Sequence, residues 1–307
     1  LFTGSFESAI YLLSSICAVP GNVSVLPSLN SNFAHHIAAG LEDGSIITGQ
    51  NNISHPSKPT AAVPVTPDAA AARLSGEARR QPTETEEQDM VEDANLPGSL
   101  PTLRKPAIAF SKDDEEELPA RIERLWYINP YGQEIRIPTN PRVIGALKEA
   151  GCIIYSIGSL FTSLIPSLVL RDVGEGIASP HIRCKILILN GTLDRETGPS
   201  SNPYTGMDFV ATICNACADS RSLPKPDPRT YYRYVTHVIY IEGSACPKVD
   251  KIAFQKIGIE TMRLYGRKDE DGKGGRYDMK ALEQALEAII GRKDPRSDKV
   301  RRNTLIT

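Results

Sequence analysis

The chain has 307 residues, with 35 Lys and Arg against 37 Asp and Glu. A chain of this length buries roughly 70–75% of its unfolded surface and needs no disulfide staples. Balanced charge argues against a nucleic-acid binder, and six scattered cysteines fit a reducing, cytoplasmic compartment.

In chain order, residues 6–18 carry apolar positions at helical spacing, with Ser5 as N-cap. A short strand is expected at 23–26. Residues 36–42 and 45–49 flank Asp43-Gly44, the signature of a β-hairpin. The adjacent His35 and His36 would face opposite sides of a strand, which does not suit one metal ion. From about 56 to 119 Pro, Ala, Glu and Thr dominate and apolar periodicity vanishes. Such a stretch buries too little apolar surface to offset its ordering entropy, so a long disordered insert is expected there.

Order resumes with a strand at 122–128. Asn140-Pro141 starts a helix, with Asn as N-cap and Pro at the first helical position. Strands at 152–157, 185–190, 237–242 and 260–265 alternate with helices at 162–170, 208–218, 248–257 and 278–290, the last closed by Gly291. This alternation predicts a three-layer α/β/α domain of residues 1–55 and 120–291, built on a mostly parallel sheet. The basic residues 292–307 are expected to form a flexible tail. Residues 152–170 lack charge over a membrane-spanning length, but Gly158, Pro166 and five Ser or Thr interrupt them. The pattern reads as strand, loop and helix, so no membrane association is expected. Cys214-Asn-Ala-Cys217 lacks the second ligand pair of a zinc site and reads as two buried cysteines on one helix face.

Ligands of an open parallel sheet sit at the carboxyl ends of its strands. Two strand ends here carry small polar residues. In the first loop, Gly158 allows close backbone approach, and the N–H groups that follow, with the hydroxyls of Ser159, Thr162 and Ser163, suit phosphate oxygens. The second loop runs over 190–198. Asn190 could hydrogen-bond a base or sugar, and Arg195 could pair with phosphate. Asp194 and Glu196 serve either as Mg²⁺ ligands or bases, or as solvated loop charges. Asp208 is read either as an N-cap or as a ligand contact. No Walker loop, Rossmann fingerprint or Gly-x-Ser-x-Gly is present.

These residues resemble the 2-phospho-L-lactate transferase (CofD-like) family, and most of all its branch of gluconeogenesis factors that bind UDP-sugars. The resemblance rests on Phe6-Glu7-Ser8-Ala9-Ile10, Leu41-Glu42-Asp43-Gly44, Asn140-Pro141, Gly158-Ser159-Leu160-Phe161-Thr162-Ser163-Leu164-Ile165-Pro166, and Asn190 with Glu196-Thr197. It implies a Rossmann-like fold and a pocket for a nucleotide diphosphate or nucleotide sugar. The implied contacts are Gly158, Ser159, Leu160, Thr162, Ser163, Asn190, Thr192, Glu196, Thr197 and Asp208. A regulatory nucleotide-sugar binder, a Mg²⁺-dependent transferase and an inactive fragment are three readings of that pocket; each allows a homo-oligomer. Family members carry a Gly-Gly-Thr-Gly turn and an Asp-Asp-Gly-Gly segment, and neither occurs here, so the chain is expected to start part-way through the domain. The family's Gly-Pro before Gly-Ser is Ser156-Ile157, and its Asn-x-Met-Thr-Gln reads Asn190-Gly191-Thr192-Leu193-Asp194.

Overall fold

The computed structural model describes residues 6–31, 35–54, 100, 117–268 and 275–291. The expected insert, except Leu100 and its last three residues, and the expected basic tail lie outside them. Leu118, placed in the insert by composition, is 1% exposed and belongs to the core. Its neighbour Glu117 accepts hydrogen bonds from the N–H and hydroxyl of Ser200. An acidic run thus ends on an apolar residue that the fold uses, which composition averages away.

Two four-stranded sheets organise the chain. β1 (His36–Leu41) and β2 (Ile46–Thr48) form the expected hairpin, turning at Gly44, whose φ of 85° suits a residue without a side chain. β1 also pairs antiparallel with β3 (Ile122–Ile128), which pairs with β4 (Glu134–Ile135). The sheet order is β2-β1-β3-β4. The second sheet is parallel, β5 (Cys152–Tyr155), β6 (Cys184–Ile188), β7 (His237–Ile241) and β8 (Glu260–Leu264), in sequence order. A small antiparallel pair, β9 (Gly266–Lys268) and β10 (Gly275–Tyr277), follows. Residues 23–26 form no strand; Val23 and Val25 are about half exposed, and the chain pairs only through an isolated bridge between Leu29 and Thr139. Branched residues there favour extension but have no neighbouring strand to join.

Alternation along β6 and β7 builds two cores. Leu187, Leu189, Val238 and Tyr240 join the large cluster shared with the helix Gly206–Ser220 and the antiparallel sheet. Ile186, Ile188 and Ile239 face the other way, under Ala285 and Ile289 of the helix Met279–Ile290. Both faces are therefore covered, as continuous apolar strands require. Asn140 caps the helix Pro141–Glu149 by accepting from the Arg142 N–H, and Asp278 caps the last helix on Ala281. Cys214 and Cys217 are fully buried in Gly206–Ser220, and desolvation pushes both thiols up, Cys217 to about 12. No helix among the described residues is long and apolar enough to cross a membrane.

Helix Val173–Ile177 packs on Gly206–Ser220 through Gly174, where a Cβ would lie 1.9 Å from the Cys217 carbonyl oxygen. The Gly174 N–H donates to the Ser220 hydroxyl there. Gly174→Ala is expected to force the two helices apart and lower stability by about 2 kcal/mol or more, read as a fall in the urea midpoint at unchanged slope.

Candidate functional site

Two strand-end loops meet at the carboxyl end of the parallel sheet. β5 and β6 are neighbours in register, Tyr155 opposite Leu187, so the segments that follow them emerge side by side. The first is not the regular helix expected over 162–170. Residues Leu160–Leu164 form a π-type turn, followed by a short helix Ile165–Leu168. Pro166 has no N–H to donate back to Thr162, and a widened turn just before it accommodates the missing bond. Gly158 is needed for a reason internal to this turn. A Cβ there would sit 2.8 Å from the Ser163 Cβ.

The second loop reaches across to the first. Glu196, 2% exposed, accepts from the N–H groups of Phe161 at 2.9 Å and Thr162 at 3.0 Å, and from the Thr162 hydroxyl. Two backbone donors expected to face a phosphate are therefore taken by a carboxylate of the chain itself. Desolvation pushes Glu196 up to about 6, against the lowering effect of the Thr162 and Phe161 donors and with the nearby Asp194 adding to the rise. Asn190 contributes a long contact, its Nδ2 donating to the Gly158 carbonyl at 3.5 Å.

The remaining candidates divide by environment. Ser159 precedes the turn without using its side chain as a cap, and Ser163 is exposed. Leu160 has a fully buried side chain, so only its backbone can meet a ligand. Thr192 is exposed further along the second loop. Asp194 and Thr197 form a reciprocal capping box around the turn Arg195–Thr197, with the Thr197 N–H and hydroxyl donating to Asp194. Asp208 is not the N-cap; Thr205 is, and Asp208 completes the box at the third position. Burial acts to raise the Asp208 carboxyl, but the Thr205 donors and the Arg121 guanidinium, 2.8 Å away, bring it below its ordinary range. Arg195 does not face the phosphate position. It donates to the carbonyls of Asn52 and Ile53, at the end of the helix Gln50–Ser54. Thus Gly158, Ser159, Thr162, Ser163, Asn190 and Glu196 converge, while Thr197 and Asp208 serve local caps.

Residues outside the sequence reading hold the second loop down. A Cβ on Gly191 would lie 1.7 Å from the Gly275 carbonyl oxygen, and the Gly275 N–H donates to Gly191. Cys246 donates its thiol to the same Gly191 carbonyl at 3.0 Å. From β10, the Tyr277 hydroxyl donates to the carbonyls of Leu189, just past the end of β6, and of Ile239, midway along β7. Asn190-Gly191 marks a turn in sequence, but its partners lie about 55 and 84 residues downstream, beyond any local pattern.

A carboxyl raised in the folded state holds its proton over a wider range than in the unfolded chain. The stability this confers is complete below its ordinary value near 4.5 and is lost as pH rises through about 6. The difference amounts to about 2 kcal/mol for the shift cited. Between these limits wild-type stability is expected to fall relative to Glu196→Gln, which does not titrate. Urea unfolding of both proteins across that range checks this; parallel curves would refute a raised Glu196. Glu196→Ala, leaving two buried N–H groups without acceptors, is expected to cost about 2–4 kcal/mol.

Comparison with known proteins adds family and fold. The family model described as 2-phospho-L-lactate transferase CofD matches residues 1–285. A Saccharomyces cerevisiae protein, YNL011C, described as uncharacterised, is 35% identical over 278 residues, covering 86% of this chain and 62% of its own length. The chain therefore spans under two thirds of that relative. The gluconeogenesis factor of Bacillus subtilis is 28% identical over 120 residues, 34% of this chain and 37% of that protein. A putative gluconeogenesis factor of Nostoc is 28% identical over 128 residues, 37% of this chain and 26% of that protein. In three dimensions, the crystal structure of BH3568 from Bacillus halodurans superposes with a TM-score of 0.54 at 19% identity, covering 93% of this chain and 68% of the other. That likeness concerns the fold.

Proposed function

Because the chain belongs to the 2-phospho-L-lactate transferase CofD family, we propose that its two strand-end loops bind a nucleotide diphosphate, as a UDP-sugar, and that this binding is regulatory in carbon or cell-wall metabolism. The observation that supports this reading is the convergence of Gly158, Ser159, Ser163 and Asn190 at adjoining strand ends, the usual ligand position in a parallel sheet. The names of the Nostoc and Bacillus subtilis relatives support a part in carbon metabolism. A cytoplasmic protein, as a monomer or a homo-oligomer, fits this role.

Glu196 shapes how such a ligand would be held. Its carboxylate already fills the Phe161 and Thr162 donors, so a diphosphate would use the neighbouring Ser159 and Ser163 hydroxyls and the backbone around Gly158. The nearby negative charge would oppose that ligand until the carboxyl takes up a proton. A transferase reading would also ask for Mg²⁺, which the residues present do not fit. Asp194 and Glu196 are occupied as acceptors, and no three His, Cys, Asp or Glu converge among the described residues.

Calorimetric titration with UDP-N-acetylglucosamine tests the proposal. Metal-independent binding without turnover is expected, and it should tighten as pH falls through about 6, where Glu196 protonates. A UDP-sugar diphosphate is a diester that does not titrate there, so the trend reports the protein. Gly158→Val, which displaces the Ser163 turn, is expected to weaken binding by about 100-fold, the worth of roughly two hydrogen bonds to a charged group. Equal affinity in that variant would remove the loop from the site, and Mg²⁺-dependent turnover would favour the transferase reading.

A further inference from the structure

A cavity of about 1200 Å³ lies at the other end of the parallel sheet. Cys184 and Lys185 at the start of β6, His237 at the start of β7 and Glu260 at the start of β8 line it. It is therefore separated from the Gly158 loop by the length of the strands. Four cations reach it: Lys148, Arg183, Lys185 and Arg233. None of the four makes an ion pair among the described residues. Of the three acids on its wall, Glu175 is paired with Arg221, Glu260 lies 3.8 Å from His237 of the same wall, and Asp172 is the third.

Lys185 makes this more than a basic surface. It is 4% exposed, and its ammonium makes one long hydrogen bond, 3.4 Å to the Ser179 carbonyl. An ammonium has three donors, and a buried one without an anionic partner is costly. Burial and the neighbouring Arg233 both lower its affinity for a proton; the one protein group acting the other way is the Cys217 thiol, which desolvation keeps protonated. Two cations thus line one cavity close enough to repel, and no carboxylate offsets that effect on Lys185. The alternative, a lysine merely packing its stem in the core, would not direct its head group to a wall that also holds Arg233 and Arg183.

We propose that this cavity is a second binding site, for a small molecule carrying a phosphate or pyrophosphate group, with Lys185 as the buried contact and Arg233 as the fork at the mouth. The volume exceeds that of an inorganic ion and suits a phosphorylated metabolite. Guanidinium and ammonium together neutralise a dianion, the former with two parallel hydrogen bonds and the latter as a point charge.

Inorganic pyrophosphate is the probe, titrated calorimetrically into the full chain at low salt. Binding is expected, weakening with added salt and falling at least tenfold in Lys185→Met and in Arg233→Gln. Arg233 is exposed, so its variant retains the fold; thermal unfolding with and without pyrophosphate gives a second readout, a stabilisation present in the wild type and absent from both variants. Gly158→Val is expected to keep the interaction. Absence of binding to the wild type, or unchanged affinity in both cation variants, overturns the inference. Loss in Gly158→Val with retention in Lys185→Met would place the anion at the other end of the sheet, overturning this site while leaving the nucleotide-sugar proposal standing.

Discussion

The Glu196 carboxylate, buried against the N–H groups of Phe161 and Thr162, is the interaction on which the carboxyl end of the sheet depends. A π-type turn ahead of Pro166 leaves backbone donors that a regular helix would orient differently. Removing a carboxylate from water is expensive unless several donors receive it. Here three donors from one turn do so, and the carboxyl still sits near 6 because their contribution does not cancel desolvation. The turn and the acid therefore define each other's position. Through Arg195, adjacent in sequence, the same segment also holds the helix Gln50–Ser54, so three parts of the chain meet at one short turn.

The two ends of the parallel sheet are electrically unlike. At the carboxyl end, an internal anion satisfies the backbone, and hydroxyls and an amide lie around it. At the amino end, four Lys and Arg side chains gather around a large opening, and one of the three acids on the wall, Glu175, is paired with Arg221 outside it. Neither condition follows from net charge, which is close to zero. Close backbone packing shapes both regions. Gly174 lets one helix lie on another, and Gly191 lets the second loop lie under β10, each at distances no Cβ permits. Such contacts are stiff, because an atom added at either point would meet a backbone carbonyl rather than a movable side chain.

Local signals were readable where both partners lie within a few residues. Asn140 and Gly44 mark element ends through a bond or a dihedral angle confined to one turn, and the structure places both as the pattern predicts; Gly291 follows the last helix as expected, while Asp278, read as its first residue, is its N-cap. The four parallel strands stand out by apolar runs between helices. The antiparallel sheet was less visible, since β1 and β3 are separated by about 80 residues and pair only after the chain returns. β9 and β10 carry Gly, Arg and Lys, which look like loop until Tyr277 and Gly275 are seen against the strand ends. Residues 23–26 show the converse: extended propensity without a partner strand makes no sheet.

By itself the sequence determined the alternating α/β order, the identity of the two strand-end loops and the family to which they belong, because small residues after a strand and periodic apolar faces are local properties of the chain. Tertiary structure alone decided which candidate groups remain available. Glu196 lies 34 and 35 residues from the N–H groups it binds, so its conversion from a prospective ligand contact into a structural acceptor could not be read from spacing. The same holds for Lys185, whose burial beside Arg233 arises only when β6 and the turn Pro228–Arg233 fold against one cavity. Hydrogen-bond satisfaction and desolvation depend on every neighbour at once, and those neighbours are assembled by the fold.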